Sequence, residues 1–205
     1  MAWYAKPSGG YEPTSPEGES NIFEMHYMFE DNGYSLESQG GIIGNVINES
    51  ALNVWRWQGD RVNEMYGGYG LFQYTASTTA AVDRYISVCS SLPYYAPNMS
   101  TSYVTPGAQV TDAICQVNVF ITDYLNKWHS TIWRSYWPSD SNLRAKVNHI
   151  LSTYGNGSTL TMAQFKTINN IEDATIAFLG AFEGPLVPNY TPRVASANRV
   201  YQILQ

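Results

Sequence analysis

The 205-residue sequence predicts a mainly α fold, and three observations carry that expectation. Ile114, Val117, Ile121, Leu125 and Trp128 recur at a 3.6-residue period, Ile42/Val46 and Ile43/Ile47 stack at i,i+4, and strand-like alternation is weak throughout. A small hairpin within residues 54–74 is the one β feature the pattern leaves room for. The length is that of one domain, placed over 20–205. Residues 1–19 are rich in Gly, Pro, Ser and Glu, with too few apolar groups to offset the cost of ordering, and read as a flexible, extended arm.

Taken in order, Asn21 and Glu24 have capping-box spacing and open a first helix that carries Ile22, Met25 and Phe29 and ends at Asn32-Gly33. Ser35 caps a second helix, in which Gly40, Gly41 and Gly44 lower helix propensity and admit a neighbouring backbone. Over residues 53–74 the period gives way to aromatic residues and to Gly67, Gly68 and Gly70, as in a functional loop. Helices follow over about 76–89, along the Ile114 to Trp128 face, and in part of 133–154 before a turn at Asn156-Gly157. Thr161 opens a short helix through Phe165, and residues 173–182 are apolar nearly all round, as in a buried helix. Thr191-Pro192 supplies a cap and first-turn proline for a last helix bearing Val194, Ala197, Val200 and Leu204.

The net charge of −6, with 11 basic residues scattered rather than striped, speaks against a nucleic-acid partner. No segment approaches 18 uninterrupted apolar residues, so no membrane span is expected, and the first residues lack the pattern of a secretory signal. Cys89 and Cys115 could form one bridge, but two buried free thiols in a protein made in a reducing cytoplasm is the preferred reading. His26, His129 and His149 share no metal-ligand spacing, which disfavours a zinc amidase and leaves no cofactor to expect. The 16 Tyr and 6 Trp suit a carbohydrate site, where ring faces meet sugars and hydroxyl or indole groups hydrogen-bond them.

Glu49 falls in the last turn of the second helix, where unpaired carbonyls disfavour negative charge. Aromatic neighbours that exclude water act in the same direction, toward the protonated acid that must give a proton to a departing sugar oxygen. The lysozyme acid in a hydrophobic pocket is the known instance of this logic. Downstream lie Trp55, Trp57, Asp60, Glu64, Tyr66, Tyr69, Phe72, Gln73 and Tyr74, a set of ring faces, amides and acids suited to sugars.

The stretch GGIIGNVINESALN, followed by GGYGLFQYT, resembles the signature of the phage tail lysozyme family, a branch of the lysozyme superfamily that cleaves peptidoglycan. The C-terminal LTMAQFKTINNIEDATIAFLGAFEGPLVPNYTPRVASANRVYQIL is similar to that family's closing pattern, a buried helix ending in an acid and proline, then an arginine and a last helix. The resemblance implies a lysozyme-like fold, Glu49 as general acid, and Gly68, Tyr69, Gly70, Leu71, Gln73 and Thr75 along the substrate cleft. It also implies a phage protein of the virion tail, made in the host cytoplasm, with peptidoglycan as substrate and other tail proteins as partners. Two positions depart from the pattern: Val54 stands where relatives usually have proline, and Gly184 where an arginine often separates acid from proline.

Asp60 is the expected second acid, with Glu64 in reserve, and Trp57, Tyr69, Gln73, Tyr74 and Thr75 are the expected sugar contacts. Glu183 is expected as a structural carboxylate paired with Arg193 or Arg199. The same acid would serve a lytic transglycosylase or an endolysin, and a non-catalytic wall-binding or structural tail module would keep the fold without turnover. Only the products distinguish these readings.

Overall fold

Ser15 and Pro16 start the first helix. In the computed structural model, which describes residues 2–6, 8–56, 68–73, 108–123, 128–132, 139–185 and 187–205, the Ser15 hydroxyl accepts from the Gly18 N–H at 3.1 Å. Pro16 occupies the first helical position, where its missing N–H costs nothing, and Glu17 and Glu19 face the positive end of the dipole. Helix α1 therefore spans Pro16–Glu30, one turn and more ahead of the expected Asn21 cap. Asn21 instead lies fully buried within the helix. The later elements are α2 (Leu36–Ser50), α3 (Ala108–Asp123), α4 (Ser141–Thr153), α5 (Met162–Phe165), α6 (Ile171–Phe178), a π-helical turn (Leu179–Glu183) and α7 (Tyr190–Leu204). Among the described residues the extended regular elements are all helices, and none of these helices is long and apolar enough to cross a membrane.

The chain divides into two units, Met1–Met25 with Glu49–Asn126 and His26–Asn48 with Lys127–Gln205. The second unit is built on the glycines of α2. A Cβ at Gly41 would lie 2.7 Å from the Ala174 carbonyl carbon of α6, and one at Gly44 would lie 2.6 Å from the Ala197 Cβ of α7. Glycine is what lets these backbones meet, as expected from the sequence. Ser35 caps α2 by accepting from the Ser38 N–H at 3.1 Å, and its hydroxyl donates to the Ile168 carbonyl. Around this contact, Phe165, Phe178 and Phe182 are buried, with Phe178 stacked on Phe182 at 4.9 Å between centroids. Thr161 and Gln164 complete a reciprocal capping box on α5. The last helix begins at Tyr190, so Pro192 falls at its third position, still within the turn whose N–H groups have no intrahelical acceptor.

In the first unit, α3 buries a different face from the one its apolar period marks. Ala113, Gln116, Val117 and Phe120 are inward, while Ile114 is 40% exposed. Two polar side chains, Asp112 and Gln116, sit on the inward face because each has a hydrogen-bond partner there, and they turn the helix away from the purely apolar solution. Trp128 does not continue this face; its indole N–H donates to the Leu160 carbonyl at 2.9 Å in the second unit. Cys115 is disulfide-bonded, which corrects the expectation of reduced thiols. The chain's other cysteine, Cys89, lies outside the described residues, as do the helix expected over 76–89 and most of the expected hairpin.

Residues 1–19, expected as a flexible arm, are not free of the first unit. Trp3 is 2% exposed, and the Tyr4 N–H and C=O both bond the Asn21 side-chain amide, at 2.8 and 2.9 Å. Counting apolar side chains missed this, because buried asparagines hold the segment through its backbone.

Candidate active site

Helix α2 stops abruptly after Glu49-Ser50. Ala51 and Leu52 both adopt the left-handed conformation, with φ of 48° and 61°, and neither is glycine. Each such residue costs about 1–2 kcal/mol, so the turn stands only if its surroundings impose it. They do: the Ala51 carbonyl accepts from the Tyr11 N–H at 2.7 Å, and the Leu52 carbonyl from the Asn21 amide at 2.8 Å. The next residue, Asn53, is fully buried and uses its whole side chain. Its oxygen accepts from the Lys6 and Trp55 N–H groups, both at 3.1 Å, and its amide donates to the Lys6 and Gly9 carbonyls at 2.9 and 2.8 Å. Glu49 is half-buried at the head of this turn.

A second tight turn, residues 68–73, lies against the first. The Gly70 N–H donates to the Arg56 carbonyl at 2.8 Å, and the Gln73 amide donates to the carbonyls of Arg56 and Gly70 at 3.0 and 2.9 Å. Gln116 of α3 ties the two together. Its oxygen accepts from the Leu71 N–H at 2.7 Å while its amide donates to the Val54 carbonyl at 2.9 Å, all fully buried. Gly70 has a φ of 79°, and a Cβ there would lie 2.4 Å from the Gln116 oxygen. Tyr69 is 8% exposed and donates its hydroxyl to Asp112 at 2.8 Å, and Phe72 stacks on Phe120 at 5.1 Å.

Glu49 thus ends α2 immediately before two turns that Gln116 fastens together. The model of the phage tail lysozyme family matches residues 21–204, nearly the whole chain. The chain belongs to the phage tail lysozyme family. Its domain is thus a phage lysozyme-type domain, of the peptidoglycan-cleaving kind. No curated protein matches the chain.

In this phage tail lysozyme domain, three of the expected site residues fall within the described structure. Glu49 ends α2, and Tyr69 and Gln73 flank the second turn, where their polar groups bond protein partners rather than standing open. Trp57, Asp60, Tyr74 and Thr75 lie outside the described residues, as does Glu64. Sequence reasoning missed Asn53, Asp112 and Gln116, the buried polar groups that shape both turns. The one trace they leave is a polar residue on an otherwise apolar helix face, as at Gln116. The buried indole nitrogen of Trp55 has no hydrogen-bond partner among the described residues.

In the second unit, the apolar run expected as one buried helix changes winding. After α6 it continues as the π-helical turn Leu179–Glu183, closed by Gly184 at a φ of 54°. One residue per turn is thereby added, which re-aims Glu183; such turns gather at functional sites. One Glu183 carboxylate oxygen is sealed from solvent. Arg193, an expected partner, donates to the oxygen of the fully buried Asn45 at 3.0 Å, and Asn45 in turn donates to the Thr175 carbonyl at 3.2 Å.

Proposed function

We propose that the chain is a muramidase, hydrolysing the β-1,4 bond between N-acetylmuramic acid and N-acetylglucosamine, with Glu49 as the acid. The observation that supports this most is the placement of Glu49, half-buried at the end of α2 and followed by a turn that tolerates two costly left-handed residues. Strain of that kind persists where the fold over-determines it, and it collects at active sites. In the reaction, the Glu49 carboxyl gives its proton to the leaving glycosidic oxygen as the C–O bond lengthens, and positive charge builds on the anomeric carbon and ring oxygen. Water then adds to the anomeric carbon and gives its proton to Asp60, with solvent exchange restoring the proton of Glu49, or, where Asp60 only stabilises the charge, gives it directly to Glu49. Trp57, Tyr74 and Thr75 contact the sugars, while Tyr69 and Gln73 set the wall on which they lie.

The protein is a component of the phage tail that opens the host wall during infection, seated among other tail proteins. Mass spectrometry of fragments released from purified peptidoglycan tests the chemistry. Reducing N-acetylmuramic acid ends are expected. Anhydro ends would mean a lytic transglycosylase, which closes the sugar on its own hydroxyl without water, and no fragments from several wall types would leave a binding or structural tail module.

A further inference from the structure

The segment before α1 is a candidate for more than a leader to the domain. Residues 2–6 and 8–11 lie along the first unit and meet the chain at the turn that follows Glu49. The contacts are backbone to backbone or backbone to buried asparagine: Tyr11 N–H to the Ala51 carbonyl at 2.7 Å, Lys6 and Gly9 to Asn53, and Tyr4 to Asn21, whose amide also reaches the Leu52 carbonyl. At the crossing, Gly10 is pressed so close that a Cβ added to it would lie 2.1 Å from the Ala51 Cβ and 2.7 Å from the Ala51 carbonyl oxygen. Further back, Trp3 is buried and the Ser20 hydroxyl both accepts from the Ala2 N–H and donates to the Ala2 carbonyl, at 3.0 and 2.6 Å. The family match begins only at residue 21, so this segment lies outside what membership assigns.

We propose that residues 2–6 and 8–11 form a positioning strap: by clamping the left-handed Ala51-Leu52 turn, the strap fixes how α2 ends and so where Glu49 presents its acid. This rests on the muramidase reading. Three features point to positioning rather than simple anchoring. The bonds converge on the stretch just after the acid, reaching Ala51 and Asn53 directly and Leu52 through Asn21. Glycine at position 10 is required by the contact with Ala51 itself. And the turn lacks the glycines that would let it hold its shape unaided. Loosening the strap lets Ala51 and Leu52 relax toward right-handed geometry, which swings the last turn of α2. A misplacement of about 1 Å at a catalytic group lowers turnover by up to about a hundredfold.

The test uses the full chain and variants remote from the sugar contacts. Gly10→Ala drives a methyl into Ala51, and Gly9→Ala strains the strap more gently through its φ of 70°, where a Cβ meets only the Lys6 side chain. Each is expected to lower kcat on the order of tenfold to a hundredfold with little change in KM, and to speed hydrogen exchange at the amides of residues 49–53. Replacing Ala51 by glycine in the Gly10→Ala background removes the nearest clash and gives the turn a residue at home in its conformation, while the 2.7 Å approach to the Ala51 carbonyl oxygen remains, so part of the lost kcat returns. Faster exchange with undiminished kcat would overturn the positioning role, and so would unchanged exchange in both single variants. A kcat loss accompanied by faster exchange throughout the first unit, rather than at residues 49–53, would also overturn it, as general destabilisation. Absence of turnover in the native chain is a separate result that sinks the muramidase reading and with it the catalytic meaning of the strap, while exchange at 49–53 still reports whether the clamp exists.

Discussion

Replacing Gly70 with alanine probes the clamp that holds the second turn. The added methyl pays first for a φ of 79°, about 1–2 kcal/mol for a residue with a Cβ. It also meets the Gln116 side chain, at 2.4 Å from the oxygen and 2.7 Å from its carbon. Gln116 is fully buried and bonded at both ends, to the Leu71 N–H and the Val54 carbonyl, so it moves aside only by giving up those bonds at about 0.5–1.5 kcal/mol each. Alanine recovers about 0.4–1 kcal/mol by restricting the unfolded chain. The net is a loss of about 1–5 kcal/mol, against the roughly 5–15 kcal/mol that holds a domain together. Urea denaturation reads it as a lowered midpoint at unchanged slope. Gly157→Ala is the control, since its φ is 91° but nothing lies within 4 Å of the new methyl, and it pays the conformational term of about 1–2 kcal/mol alone. If the two variants lose the same amount, Gln116 does not clamp the turn as described.

Gly44→Ala forces a methyl against Ala197; overpacking of about 1–3 kcal/mol outweighs the 0.5–1 kcal/mol that alanine gains in a helix, and a midpoint equal to or above the native one would refute the close approach of α2 and α7. Burial lifts the Asp173 carboxyl above its ordinary 3.8, against the weaker opposing influence of His149 and the Tyr154 hydroxyl. The folded state then binds the proton more tightly than the unfolded one, so this group's contribution is least favourable above its folded pKa and improves as pH falls toward 3.8. Asp173→Asn, which keeps an acceptor for Tyr154, is therefore expected to melt higher than native at neutral pH, with the gap closing on acidification; a gap that widens instead reverses the sign of the argument. Thr161→Ala removes the hydroxyl that caps α5 at the Gln164 N–H, and a loss of about 1 kcal/mol in denaturant is expected, an unchanged midpoint denying the cap any role.

Local signals in the sequence carried the second unit well. The Thr161 cap acts within a few residues and the α2 glycines admit neighbouring backbones as expected, while the apolar run over 173–182 is α-helical to Phe178 and then changes winding. The first unit was less legible because its order comes from distant partners. Asn53 reaches Lys6 across 47 positions, and Gln116 reaches Val54 across 62, which leaves no periodic trace. The same distance explains why residues 2–11 read as a free arm and why α3 seemed to bury Ile114. The start of α1 was legible in principle, since Ser15-Pro16 with Glu17 and Glu19 is a helix opening, but the composition of the surrounding segment concealed it. At the site, Glu49 could be picked out by its place at a helix end, whereas the left-handed pair behind it could not, because neither Ala51 nor Leu52 advertises that conformation.

The most direct measurement compares purified peptidoglycan digested by the native protein and by Glu49→Gln, with the soluble fragments analysed by mass spectrometry and the folded state of the variant checked by its melting curve. The glutamine keeps the shape of the side chain and cannot donate a carboxyl proton, so reducing N-acetylmuramic acid ends are expected from the native protein and a loss of about 10²–10⁴-fold from the variant. A variant that folds and cuts as fast as the native protein would contradict the assignment of Glu49 as the acid.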